Sequence, residues 1–224
     1  MDLLTEIDSA LAPHGLTLRG GFDFGEGEDA PRLPSGMTAR ALLLVGNAGG
    51  AFWPAFQTWR TAQPCELQDP LDAWSRAVIG SIAEEIAAYP VLPSDRAYWP
   101  FQRWAMRAEG LRASPLGILM HPRYGLWHAY RGALLFDRPL SLGASGRNSH
   151  LCSACEAQPC RTRCPVQAHR SAALAYDACL GHLHSQAGKD CMEGGCLDRN
   201  ACPHGADYRY QPALQAFLME AFRR

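Results

Sequence analysis

Cysteine is the residue type in this chain best suited to chemistry, and its placement is uneven. Of nine, Cys65 stands alone, while Cys152, Cys155, Cys160, Cys164, Cys179, Cys191, Cys196 and Cys202 crowd the C-terminal third. Thiolates pair as disulfides, attack electrophiles or ligate soft and borderline metals. The odd total weighs against a disulfide framework. So does the N-terminus, Met1-Asp2-Leu3-Leu4-Thr5-Glu6, which lacks the basic start and long apolar stretch of an export signal. Metal binding in a cytoplasmic setting is the expected use.

The spacing narrows the metal. Cys152-Ser-Ala-Cys155-Glu-Ala-Gln-Pro-Cys160-Arg-Thr-Arg-Cys164-Pro165 is a C-x2-C-x4-C-x3-C-P run. It resembles the bacterial ferredoxin run with two residues added in its second gap. A looser set follows: Cys179, then Cys191, Cys196 and Cys202-Pro203, again closing on Cys-Pro. By the ligand exchange of two-cluster ferredoxins, Cys152, Cys155, Cys160 and Cys202 would hold one 4Fe-4S cluster, and Cys164, Cys179, Cys191 and Cys196 a second. The alternative is zinc, since four-thiolate sites also use closely spaced cysteine pairs. His150, His169, His182, His184 and His204 lie among the cysteines, where a complete thiolate set leaves them beside the ligands or at the surface. Arg161, Arg163 and Arg199 would ease reduction if they face the sulfurs, or are solvated.

Several elements must position these residues. Leu3, Ile7 and Leu11 share a helical face that stops at Gly15. Ala41 to Val45 reads as a buried strand running into the glycine-rich turn Gly46 to Gly50; without a following Lys-Ser/Thr this is a tight turn rather than a phosphate cradle. Asp69-Pro70 reads as a side-chain cap and first turn for a helix with Leu71, Trp74, Val78 and Ile82 as its apolar stripe, ended by Pro90 and Pro93. A second helix spans Phe101 to Glu109 before Gly110, and Gly117 to Met120 and Ala133 to Phe136 read as strands. Asp137 to His150 loses apolar periodicity and reads as a linker.

Two blocks carry a family resemblance. Arg103-Trp104-Ala105-Met106-Arg107-Ala108-Glu109-Gly110-Leu111, then His121-Pro122-Arg123-Tyr124-Gly125-Leu126-Trp127 and Arg131-Gly132-Ala133-Leu134-Leu135, followed by the cysteines, resembles epoxyqueuosine reductase. The His-Pro-Arg-Tyr-Gly block is also similar to the cobalamin-processing CblC proteins, which lack the clusters. The resemblance covers about residues 70 to 205 and implies a cobalamin-binding α+β module. In it His121, Arg123, Tyr124, Gly125 and Trp127 would contact the cofactor. The chain departs from the pattern twice. Met106 stands where CblC proteins place a cobalamin-facing histidine. Asp95 is one position off the reductase's general acid and reads as a cap for the following helix; no catalytic residue is assigned.

The expected architecture is α+β. Residues 1–147 would form a sandwich-like cofactor-binding domain with a mainly antiparallel sheet, and residues 148–224 a small ferredoxin-like domain. With 21 basic and 22 acidic residues the net charge is −1, so neither nucleic acid nor an anionic membrane surface is favoured. The expected function is electron transfer from a redox partner protein through two clusters to a cobalamin or other cofactor. The alternatives are a non-catalytic electron carrier or cofactor-binding partner, and a zinc-stabilised interaction protein.

Overall fold

The structure is a computed structural model that describes residues 2–143, 146, 150–170 and 173–224. In chain order it contains α1 (Leu3–Leu11), β1 (Thr17–Asp23), β2 (Ala41–Ala48), α2 (Trp53–Thr61), α3 (Pro70–Glu85), β3 (Tyr89–Val91), α4 (Phe101–Glu109), β4 (Arg112–Ala113), β5 (Leu119–Met120) and β6 (His128–Phe136). These are followed by α5 (Tyr176–Leu183), α6 (Lys189–Gly194), α7 (Leu197–Asn200) and α8 (Pro212–Arg223). The chain divides into two compact units, Met1–Gly110 with Ala129–Arg147, and Leu111–His128 with Asn148–Arg224. The segment Leu111–His128 therefore packs with the cysteine-bearing region, whereas the sequence placed all of 1–147 together. The linker expected at Asp137 to His150 lies partly outside the described residues. Its start is fixed to β1, where the Asp23 carboxylate accepts from Leu140 and Leu142 amides at 2.7 Å each.

In the first unit the sheet order is β1-β2-β6-β3. β1 runs antiparallel to β2, and β3 antiparallel to β6. β2 and β6 also run in opposite directions: Arg40 N donates to Phe136 O at one end, and Gly46 packs on Ala129 O at the other. β2 is buried on both faces, as its continuous apolar run requires. Gly46, Asn47 and Ala48 continue the strand, so the expected turn starts later than its glycines suggest. The α3 stripe is core as expected, and Trp74 meets Phe52 and Phe56 with ring centroids 5.8 and 5.9 Å apart.

Three local expectations are corrected. Asp69 starts α3 with its backbone carbonyl, not its carboxylate, because its φ of 44° turns the side chain away from the first amides. Pro90 does not end a helix but sits inside β3, an edge strand that tolerates a missing N–H. Gly117 lies in a turn with φ of 76°, its N–H on Ser114 O, so the strand there shrinks to Leu119–Met120. α4 ends on Gly110 in the left-handed conformation, as expected. β1 and β3 carried no readable signal.

A polar network is buried beneath this sheet. Arg19, 2% exposed, pairs with Glu109 at 3.0 Å. Tyr130 donates its hydroxyl to the same carboxylate, and Arg131 Nε donates to Asn47 Oδ1 at 2.9 Å. Burial raises the Glu109 pKa despite the Arg19 charge.

Candidate metal centres

In the second unit most of the cysteines lie on or beside short helical pieces. Cys152 and Cys160 lie on single 3-10 turns, Cys179 and Cys191 on α5 and α6, and Cys196 and Cys202 flank α7. Such turns bring sulfurs together without long regular elements, which explains why no periodicity marks this region in the sequence. All nine thiols are free of disulfides.

Cys152, Cys155, Cys160 and Cys202 line one small pocket, together with side chains that include Met120 and Leu126. Burial pushes the Cys160 thiol up to about 11, and charges at Cys202, Cys152 and Cys155 add to it. Cys152 and Cys202 are raised likewise, with burial the largest cause of each. A second group behaves in parallel. Burial pushes Cys191 up to about 11, reinforced by Cys196, Cys164 and Cys179, and it raises Cys179 and Cys196, each of which also feels Cys164. The charges that act on Cys160 and on Cys191 thus come in each case from both the early and the late cysteine run. Among the described residues no three His, Cys, Asp or Glu side chains are grouped so as to hold a metal ion.

Neighbouring groups fix these thiols. Ala168 N donates to Cys164 Sγ at 3.3 Å, and His182 Nε2 is 3.6 Å from Cys191 Sγ. Asp198, 1% exposed, accepts from the amides of Arg163 and Cys164 and meets His169 Nδ1 at 3.0 Å. Its role was missed in the sequence, where its place two residues after Cys196 was the only signal. Two of the arginines expected near sulfur are engaged elsewhere: Arg161 binds Arg170 O, and Arg199 binds Leu126 O while lying over Trp127 and Tyr210.

The loop expected to meet a cofactor is built onto the second Cys-Pro. Gly125 has φ of 57°, and a Cβ there would lie 2.1 Å from His204 O; at Gly205 it would lie 2.3 Å from Tyr124 O. Trp127 is fully buried against Tyr210, and Gly125 is buried too. Of the five expected contacts, therefore, His121, Arg123 and Tyr124 present side chains outward. His121 Nδ1 accepts from Arg123 and Tyr124 amides at 3.0 and 3.1 Å, so its proton is on Nε2, and its ring stacks on Tyr124 at 4.1 Å. Arg123 Nε donates to Tyr208 Oη at 2.6 Å. His128, not singled out in the sequence, is buried with Nε2 2.9 Å from Leu119 O.

In the first unit, Asp95 is neither a helix cap nor a free acid. α4 begins six residues later, at Phe101, and the carboxylate binds Arg76 at 2.6 Å, Leu92 N at 2.8 Å and Trp99 Nε1 at 3.2 Å. Burial would raise its pKa, but the Arg76 and Leu92 hydrogen bonds outweigh burial and hold it below the ordinary value. Met106 is 43% exposed on α4.

Fold and site together define an α+β chain with a cysteine-rich unit. No protein-family model and no curated protein matches the sequence. Among solved structures the fold is similar to CblC, a B12-trafficking protein of C. elegans, with a TM-score of 0.58 and 13% identity over 98% of this chain and 94% of that one. It is similar to epoxyqueuosine reductase at a TM-score of 0.55 and 11% identity, covering 95% of this chain and 68% of the reductase. A structure of epoxyqueuosine reductase with a tRNA stem loop gives 0.53 and 12% over 94% of this chain and 68% of that one. The resemblance noted in the sequence is thus one of fold. No helix among the described residues is long and apolar enough to cross a membrane.

Proposed function

We propose that this chain is an iron-sulfur redox protein that carries electrons singly through two 4Fe-4S clusters to a corrinoid, working in the cytoplasm with a redox partner protein as donor. The observation that carries this reading is the shared cavity of Cys152, Cys155, Cys160 and Cys202, because Cys202 arrives from 42 residues beyond Cys160, as ligand exchange between two clusters requires. When bound, the clusters supply one-electron carriers and the corrinoid supplies the cobalt chemistry.

The residues fit the clusters by their chemistry. Burial, and then the neighbouring thiols, make Cys160 and Cys191 costly to ionise alone, and a cationic iron core would relieve that cost as it displaces their protons. A single ion would draw four sulfurs to about 2.3 Å from one centre, which suits a tighter group than a cubane does.

Towards a corrinoid the chain offers His121, Arg123 and Tyr124. With its proton on Nε2, His121 acts as a hydrogen-bond donor rather than a cobalt ligand. The fold shared with a B12-trafficking protein supports the cofactor class. Asp95, held ionised by three donors, favours a second reading in which the chain delivers electrons without a general acid of its own.

Iron and acid-labile sulfide analysis of anaerobically purified protein tests the clusters. Both are expected in amounts that fill two cubanes, and zinc without sulfide would overturn the reading. Adding hydroxocobalamin to the reduced protein is expected to give Co(II); an unchanged spectrum removes the corrinoid. A tRNA stem loop, present with one of the similar reductases, is expected not to bind a chain of net charge −1.

A further inference from the structure

An open pocket of about 310 Å³ lies between α4 and the chain at the end of β1, wholly within the first unit and apart from the cysteines. Its apolar part is made by Phe22, Phe24, Trp104 and Pro100. Its charged part pairs Glu28 and Asp29 on one side with Arg103 and Arg107 on the other. We propose that it binds a free aromatic α-amino acid, with the carboxylate on Arg103, the ammonium on Asp29 and the ring against Phe22, Phe24 and Trp104.

The aromatic wall is fixed before any ligand arrives. Phe22 and Phe24 are two residues apart on extended chain and so share a face, with their rings edge to face at 5.0 Å. Phe24 N donates to Arg40 O at 2.8 Å, which holds the chain extended just past the end of β1. Trp104 is backed by Trp99 and Phe101, with ring centroids 6.0 and 5.2 Å away. Each of Phe22, Phe24 and Trp104 keeps 7% of its surface exposed. A ring laid on side chains already held in place costs little ordering entropy.

The charges divide into a spent pair and an uncommitted one. Arg107 binds Glu28 at 2.7 Å and Asp23 O at 2.9 Å while lying 4.0 Å from the centre of the Phe22 ring. That pair sets how far apart the two walls stand. Asp29 follows Glu28 on one wall, and Arg103 is one helical turn before Arg107 on the other. Both are exposed, and among the described residues neither side chain makes a hydrogen bond or an ion pair. A plain carboxylate entering here would leave Asp29 facing a like charge, and a plain amine would do the same to Arg103. A head group carrying both signs on neighbouring atoms satisfies the two together, and the planar guanidinium suits the carboxylate. Ligand sites run from about 300 to 1,000 Å³, so this pocket is on the scale of an amino acid rather than a corrinoid.

The test is isothermal titration calorimetry of the full chain with L-phenylalanine, and with three analogues that each lack one part. Phenethylamine has no carboxylate, 3-phenylpropionate no ammonium and L-alanine no ring. L-phenylalanine is expected to bind and all three analogues to bind more weakly. Arg103→Gln and Asp29→Asn are each expected to weaken L-phenylalanine by up to about fivefold, the scale of a solvent-exposed ion pair. Both positions are exposed and without partners, so thermal unfolding is expected to match wild type. No heat with L-phenylalanine, binding of L-alanine at equal affinity, or wild-type affinity in both variants overturns the proposal. So does 3-phenylpropionate binding as tightly as L-phenylalanine, which would make the site one for simple carboxylates.

Discussion

The amide nitrogen of Cys164 lies 2.7 Å from Oδ1 of Asp198, 34 residues further along the chain. The sulfur-bearing loops are therefore held by a contact that forms only after the late cysteine run has folded back on the early one. Cys202 likewise reaches the pocket of Cys152, Cys155 and Cys160 from the late run.

On the proposed ligand exchange, removing Cys202 takes a corner from the first cluster alone. Cys202→Ala is expected to lose half of the iron and sulfide, with the cluster containing Cys164 retained, while Cys65→Ala, at an exposed site in the first unit, changes neither. Metal analysis decides the matter: full iron content in C202A would remove Cys202 from the ligands.

Gly125 is expected to tolerate no side chain. Its left-handed backbone alone costs an alanine about 1–2 kcal/mol, and the new methyl group would press on the His204 carbonyl. Gly125→Ala should lower the denaturation midpoint of the second unit and release iron from the Cys202 cluster first; unchanged stability would mean that the loop and the Cys-Pro segment are not packed as described.

Breaking the Arg19 to Glu109 pair should be costly. Arg19→Met leaves a buried carboxylate without its partner, and a loss of about 3–5 kcal/mol in denaturant unfolding is expected. Glu109 also sets a pH dependence. Its folded pKa is raised, so the folded chain binds more protons than the unfolded one above 4.5, and this contribution to stability falls as pH rises from there through the folded value. Glu109→Gln should remove that slope.

Asp95 works in the opposite sense. Its folded pKa is lowered, so its stabilisation is complete above 3.8 and is lost as pH falls through the folded value. Asp95→Asn is expected to cost about 1 kcal/mol near neutral pH, since Arg76 is half exposed and screened. A proton-inventory or pH-rate profile that changed with D95N would instead make this residue a proton donor.

Three helices of the first unit were legible because each combines an apolar stripe with a stop signal, Leu3 to Leu11, the Leu71 to Ile82 face, and Phe101 to Gly110, whereas α2 went unread. β2 was legible as an unbroken apolar run. β1 was hidden because Arg19, Gly20 and Gly21 interrupt its alternation, and Arg19 is buried by an ion pair that pattern alone does not reveal. β3 was hidden by Pro90, which reads as a breaker anywhere except at an edge. In the candidate site, cysteine spacing is written locally, so the eight thiols could be singled out as candidates. Asp198 could not, because its partners are backbone amides remote in sequence, and Trp127 looked like a contact residue only until its burial against Tyr210 was known.

Pro90 has a consequence beyond β3. A three-residue outer strand with an imino acid at its centre offers an incoming chain almost no continuous row of donors and acceptors, so that margin is a poor template for intermolecular pairing and for fibril growth.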